Sequence, residues 1–330
     1  MKTYIQEKQI ALEAAIKAAS LCMRVRAEMV GGEALEKGDK SPVTVADFGS
    51  QALVCQYIKA VFPYDAIVGE EDSTDLQQAD NATTLTKITQ FLQSFHPGVS
   101  GSTACEWIDS GNGRVSERYW TLDPIDGTKG FLRNDQYAIA LALIENGDPK
   151  VAVLACPALP LAMNNPKLGT GVLFMAVRGE GASMAPLSVG VDLSKFTPIR
   201  VANQANSLNL RFVESVEAGH GDHARQQAIA QAAGITQASL RMDSQAKYGA
   251  VARGDAILYL RLPSPKSPDY REKIWDHAAG ALIVQEAGGT VTDMHGKPLD
   301  FGSSEKMQHN QGVVVSNGAI HAAVIAALNN

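Results

Sequence analysis

Three observations in the sequence predict a two-domain α/β protein. The chain has 330 residues, enough for two domains at about 100–200 residues each. Strand-like apolar segments follow one another from Tyr119 to Val177 without intervening helices, as in an antiparallel sheet. Beyond Pro198, strand-like and helix-like segments alternate, as in α/β packing. The division is placed near residues 195–200, giving an N-terminal α+β domain over 1–197 and a C-terminal α/β domain over 198–330.

The elements follow in order. Ile5, Leu12, Ile16, Ala19 and Met23 recur on one helical stripe that Gly31-Gly32 ends. A polar loop is expected through Lys37–Pro42, then a second helix from Thr44 to Pro63 with Leu53, Tyr57 and Ala60 on its buried side. Ala66-Ile67-Val68 reads as a short buried strand, Thr83–Phe95 as a helix and the Gly- and Ser-rich stretch Gly98–Gly113 as a loop. Strands are expected at Tyr119–Leu122, Tyr137–Leu143, Val151–Ala155 and Val172–Val177. After Pro198, strands are expected at Ile199–Ala202, Arg211–Glu214, Ala256–Leu260 and Gly312–Val315. Helices are expected at His223–Ala233, Trp275–Ala287 and Ala319–Leu328.

Composition narrows the function classes. The 29 Lys+Arg against 35 Asp+Glu give a formal net charge of −6 with no basic block, which argues against nucleic-acid and membrane-surface binding. At 45% hydrophobic and 19% charged the chain can build a core, which excludes intrinsic disorder. The longest apolar runs fall far short of the about 20 residues needed to span a bilayer. The N-terminus is charged and amphipathic, unlike a secretory signal. Cys22, Cys55, Cys105 and Cys156 form no C-x-x-C pair, which suggests reduced thiols and a cytoplasmic location.

Most of the chemistry is in Leu122-Asp123-Pro124-Ile125-Asp126-Gly127-Thr128-Lys129-Gly130. Two carboxylates three residues apart at a strand end, with a main-chain carbonyl between them, offer the oxygen donors that a hard divalent cation takes. An Asp-Pro/Asp-Gly surface turn is the competing reading. Glu70 and Glu71 follow another strand, and Asp276 stands at a helix start, where N-capping also explains it. Thr44-x-x-Asp47 has the spacing of a capping box. His220-x-x-His223 reads better as a polar loop than as a metal pair.

Taken together, Val68-Gly69-Glu70-Glu71, W-T-L-D-P-I-D-G-T and I-W-D-H-A-A-G, preceded by Ser41–Asp47, resemble the inositol monophosphatase-like family of metal-dependent, lithium-sensitive phosphatases. The D-P-I-D-G-T-K-G-F-L-R run, Gly219-His220, Asp243–Tyr248, Tyr259–Pro263 and Glu272–His277 are similar to its bisphosphate nucleotidase branch. The resemblance covers nearly the whole chain. It implies a layered αβαβα sandwich and two or three Mg²⁺ held by Glu70, Asp123, the Ile125 carbonyl, Asp126 and Asp276.

The resemblance further implies that Asp47 and Thr128 orient and deprotonate the attacking water. Thr128, His220, Ser244, Lys247, Arg261 and Asp276 would hold the nucleotide. Two carboxylates about 4 Å apart repel by about 4 kcal/mol at an effective dielectric near 20, so such a cluster requires cations. The implied reaction removes the 3'-phosphate of 3'-phosphoadenosine 5'-phosphate, and by extension of its 5'-phosphosulfate form, leaving AMP in the first case; it belongs to sulfur metabolism. The expected partner is this small nucleotide, and the expected state is a monomer. Inositol polyphosphate 1-phosphatase activity and a non-enzymatic nucleotide sensor are the alternatives. An exposed edge-strand charge is the competing reading of Arg261. Tyr248 reads equally as an adenine contact or a core aromatic.

Overall fold

The computed structural model describes residues 3–31, 41–203, 211–217, 222–264 and 266–329. Lys37–Lys40, in the expected polar loop, and Gly219-His220 lie outside the described residues.

The first helix, α1, spans Ile5–Gly31, and α2 spans Ser41–Val61. The apolar stripe of α1 runs along the margin of its buried face, so Ile5 and Met23 are exposed. That face is centred instead on Ala11, Ala15, Ala18 and Cys22, small residues that allow close approach of neighbouring elements. Because α2 begins at Ser41, Thr44 and Asp47 lie inside the helix and form no capping box. Leu53 is buried, Tyr57 half-buried and Ala60 exposed.

The chain then forms β1 (Ala66–Gly69), α3 (Ala82–Gln93) and α4 (Gly101–Asp109). The helix α4 replaces the loop expected over Gly98–Gly113. The Ser100 hydroxyl accepts the Thr103 N–H at 3.1 Å, and Ala104, Cys105 and Ile108 form a buried face. Gly111 serves packing: a Cβ there would lie 2.5 Å from the Gln51 side chain.

Six further strands complete the first sheet: β2 (Arg118–Asp126), β3 (Ala138–Glu145), β4 (Asp148–Pro160), β5 (Thr170–Val177), β6 (Gly181–Pro186) and β7 (Thr197–Pro198). Its order is β1 through β7, with β1 parallel to β2 and the other pairs antiparallel. The short helix α5 (Thr128–Leu132) separates β2 from β3. The expected strand Ile199–Ala202 is absent from the described ladders. The Ile199 and Val201 amides instead donate to Ala182 and Ala287, at 3.0 and 3.1 Å, as the chain leaves the sheet.

The remaining elements are β8 (Phe212–Glu214), α6 (His223–Ala232), β9 (Leu240–Arg241), α7 (Ala246–Ala252), β10 (Leu258–Arg261), α8 (Ala278–Glu286), β11 (Thr290–Thr292), β12 (Val313–Ser316) and α9 (His321–Asn329). The second sheet runs β11-β12-β10-β8-β9. Trp275-Asp276-His277, expected to open α8, form the turn before it.

Alternation of side chains along the strands sorts the core into three clusters that define the layers. Ile139, Leu141 and Val153 on one face of the first sheet pack with α1 and α2. Ala140, Leu154 and Phe174 on its other face pack with α7, α8 and the Val213, Tyr259 and Val315 face of the second sheet. Phe212, Leu258 and Val314 on the far face of that sheet pack with α6 and α9. The result is the layered αβαβα sandwich. No helix among the described residues is long and apolar enough to cross a membrane. The four cysteines are free and buried.

Candidate active site

Strand β2 does not end before its acidic motif but carries it. The ladder to β3 is regular through Asp123 and shifts register before Asp126, and Pro124, which has no N–H to donate, sits inside that irregularity. A bulge of this kind re-aims side chains at a strand end. Here it brings Asp123, Ile125 and Asp126 to one cavity of about 260 Å³. Gly127 then takes a φ of +87°, and a Cβ there would lie 2.9 Å from the Ser244 Cβ. The turn is therefore built for glycine.

Other elements converge on the same cavity. Glu70 projects from the end of β1, and its successor Glu71 is fastened by Gln51 of α2, which accepts the Glu71 N–H at 3.1 Å and donates to the Glu71 and Ile108 carbonyls. Ser244, held at φ +66°, and Lys247 come from the start of α7. Arg261 comes from β10, and Asp276 from the turn before α8. Across the cavity the Gln245 N–H donates to Asp126 at 2.5 Å.

Among the expected site residues described, Glu70, Asp123, Ile125, Asp126, Thr128, Ser244, Lys247, Arg261 and Asp276 line this cavity. Asp47 is outside this lining, buried in α2 and close enough to Glu71, Glu70 and Asp123 to interact with their charges. The Thr128 hydroxyl donates to the Ile125 carbonyl at 3.3 Å. Arg261 is not an edge charge, since β10 lies between β12 and β8. Tyr248 is a core aromatic that also lines the cavity. His223, weighed as half of a metal pair, is 2.9 Å from Glu214 through Nδ1.

The electrostatics are those of crowded acids. Burial, then the neighbouring Glu71 carboxylate, pushes Glu70 up to about 7. Burial also pushes Asp276 up to about 7, with Asp126, Glu272 and Glu70 adding to the rise and His277 opposing it. Asp123 is driven well above the carboxylate range by burial and by Glu70, Asp126 and Asp276. Burial raises Asp47 in the same direction, helped by Glu71 and Glu70. Lys247 is brought down to about 8 by burial, against the pull of Asp126.

The sequence reading missed Glu272 and His277, although both lie in the motif that contains Asp276. Glu272, Asp276 and His277 offer three ligand atoms within 4.8 Å of one another, a candidate metal-binding cluster. The signal available was the charged run Glu272-Lys273 ahead of the apolar Ile274-Trp275. The residues present fit a hard cation. One oxygen of buried Asp123 has no hydrogen-bond partner among the described residues, and Asp123, Asp126, Glu70 and Asp276 form an oxygen-donor set.

The profile of the inositol monophosphatase family matches residues 5–330. The chain belongs to this family. Similar members include the 3'(2'),5'-bisphosphate nucleotidase of Schizosaccharomyces pombe, 43% identical over 97% of this chain and 94% of the relative. The protein of that name from Dictyostelium discoideum is 38% identical over 97% and 96%. Among solved structures, the inositol monophosphatase of Anabaena superposes with a TM-score of 0.63 at 22% identity, covering 99% of this chain and 97% of that one. CysQ of Bacteroides thetaiotaomicron superposes with a TM-score of 0.56 at 19% identity, covering 95% and 98%. The superpositions show that the αβαβα layering is that of the inositol monophosphatase family.

Proposed function

We propose that this family member is a Mg²⁺-dependent phosphatase that hydrolyses the 3'-phosphate of 3'-phosphoadenosine 5'-phosphate to AMP, and accepts the 5'-phosphosulfate form. One observation carries the reading: a single cavity gathers Glu70, Asp123, Asp126 and Asp276 with the cations Lys247 and Arg261. The acids suit metal-assisted phosphoryl chemistry, and the cations suit a second, non-reacting phosphate. The shared name of the relatives, 3'(2'),5'-bisphosphate nucleotidase, supports the same substrate.

Glu70, Asp123, the Ile125 carbonyl, Asp126 and Asp276 would hold two or three Mg²⁺. When bound, these ions neutralise phosphate charge and make water a better nucleophile at neutral pH. Asp47 and Thr128 orient that water. Its oxygen forms the new P–O bond as the P–O3' bond breaks, one of its protons passes through the Thr128 hydroxyl toward Asp47, and the departing 3'-oxygen takes a proton from solvent water to leave as a hydroxyl. A threonine hydroxyl is a weak base alone, so the relay requires Asp47 ionised, the form that bound cations would favour against its burial.

Arg261 presents a planar fork to the 5'-phosphate and Lys247 a point charge. Asp276, Thr128, Ser244 and His220 complete the nucleotide contacts. We further propose a monomeric, cytoplasmic protein whose two domains divide near residue 198, between the end of the first sheet and the start of the second. Phosphate release from a panel tests the substrate: the adenosine bisphosphates, inositol 1,4-bisphosphate, inositol monophosphate and fructose 1,6-bisphosphate. Preference for 3'-phosphoadenosine 5'-phosphate is expected. Faster turnover of inositol 1,4-bisphosphate would replace this reading with the polyphosphate 1-phosphatase one.

A further inference from the structure

Arg261 reaches the cavity from β10 with its guanidinium already held from one side. Its Nε donates to Glu272 Oε1 at 3.1 Å. The other carboxylate oxygen of Glu272 is 3.2 Å from His277 Nε2, and His277 Nδ1 is 2.7 Å from the Tyr248 hydroxyl. The arrangement that satisfies all three groups has Nε2–H donating to Glu272 and the tyrosine hydroxyl donating to Nδ1. Glu272 and His277 are buried. The tyrosine end is wedged as well, because a Cβ on Gly280 of α8 would lie 2.3 Å from the Tyr248 ring.

We infer that Glu272 is a positioning residue: by gripping Arg261 at Nε, it turns the two terminal guanidinium nitrogens toward the cavity, where they meet the non-reacting phosphate of the substrate. The inference rests on the nucleotidase reading and deepens it. Three observations support this role. Both oxygens of Glu272 are already engaged, one by a cation and one by a ring nitrogen. Among the described residues the side chain of Arg261 makes its hydrogen bond through Nε alone, although the residue lines the cavity. Lys247, the other cation, is anchored differently: its ammonium reaches the Met242 carbonyl at 3.5 Å and lies 5.2 Å from the Tyr259 ring centroid.

The difference between the two cations is chemical. An ammonium binds phosphate as a point charge whatever its rotation, whereas a guanidinium recognises it through two parallel N–H groups and must be oriented. A flexible arginine would lose part of its binding energy in being ordered. The Glu272–His277–Tyr248 chain supplies that order before the substrate arrives.

A double-mutant cycle tests the role. Glu272→Gln keeps the shape but removes the charge, and should raise KM for 3'-phosphoadenosine 5'-phosphate about tenfold, with kcat changed by less than about threefold. Kinetics on 3'-AMP, which has no 5'-phosphate, and the Mg²⁺ concentration for half-activation should both stay within about threefold. In the Arg261→Ala background the same substitution should add less than about twofold, because the residue acts through that arginine. Glu272→Asp, which cannot span both partners, should give a smaller defect of the same selectivity.

A shifted Mg²⁺ requirement would make Glu272 a metal ligand and overturn the inference. So would equal losses on both substrates, or effects that add fully to those of Arg261→Ala. A wild-type chain that turns over neither nucleotide would instead sink the nucleotidase reading, and this one with it.

Discussion

Asp126 of the first sheet accepts the backbone N–H of Gln245, at the start of α7, at 2.5 Å. One carboxylate thus serves as a candidate ligand and as a tie between the two halves of the molecule, and substitutions can separate the two roles. Asp126→Asn keeps an acceptor and removes the charge. It should abolish turnover while leaving urea stability close to wild type. Asp126→Ala should abolish turnover and also cost about 1–3 kcal/mol for the amide left unsatisfied. Denaturant titration of both variants distinguishes them.

Cation dependence follows from the acids that line the cavity. Asp123→Asn should eliminate activity, and a chelator should do the same to the wild type, with recovery on adding Mg²⁺. Li⁺ carries half the charge of Mg²⁺ and should inhibit by occupying a site without matching its field. Phosphate release across a lithium titration at fixed Mg²⁺ checks this.

The pH dependence of the metal-free protein has a definite sign. Glu70 and Asp276, both pushed up to about 7, bind more protons folded than unfolded between their ordinary values and 7. Stability therefore falls as pH rises through about 7. Glu272 is depressed to about 2; burial acts against the shift, and its bonds to His277 and Arg261 overcome it. Its contribution is present above 4.5 and lost as pH falls toward 2. The melting temperature without metal should rise from about pH 8 to about pH 5.5 and fall again below about pH 4. Saturating Mg²⁺ should flatten the upper limb.

Recognition and chemistry separate in one assay. Arg261→Ala should lower kcat/KM about 10- to 100-fold for 3'-phosphoadenosine 5'-phosphate and much less for 3'-AMP. Asp47→Ala should slow both substrates alike. Equal losses for Arg261→Ala would mean that it supports the site's structure rather than the 5'-phosphate.

The packing of α8 against α7 depends on Gly280. Because its missing Cβ would sit 2.3 Å from the Tyr248 ring, Gly280→Ala should destabilise the protein by about 1–3 kcal/mol through overpacking. It should also raise KM for the bisphosphate by displacing Tyr248. Steady-state kinetics with a thermal melt reads both effects.

Much of this molecule is legible in its sequence. Strands such as Val151–Ala155 announced themselves through apolar runs bounded by turn residues, and the acids through short motifs in a fixed order. Elements shorter than a reliable period were missed: α5 and α7 have five and seven residues, too few for a helical pattern to repeat. The α4 region reads as a loop because Gly and Ser suggest one, whereas here Gly111 makes room for Gln51 and Ser100 caps a helix. Glu272 was overlooked because its importance lies in contacts with Arg261 and His277, which sequence spacing does not display. Asp47 was given its role by resemblance, while its spacing suggested a cap that the earlier start of α2 rules out.

The register shift in β2 has a mechanical consequence. Asp123 and Asp126 are anchored to the first sheet, while Asp276 and Arg261 approach from the side of the second. Without bound cations, the repulsion of Asp276 by Asp126 and Glu70 weakens the junction between the sheets. Slight opening along this seam would dismantle the active centre while every strand stayed hydrogen-bonded. Mild urea should therefore silence the enzyme well before circular dichroism registers any loss of structure.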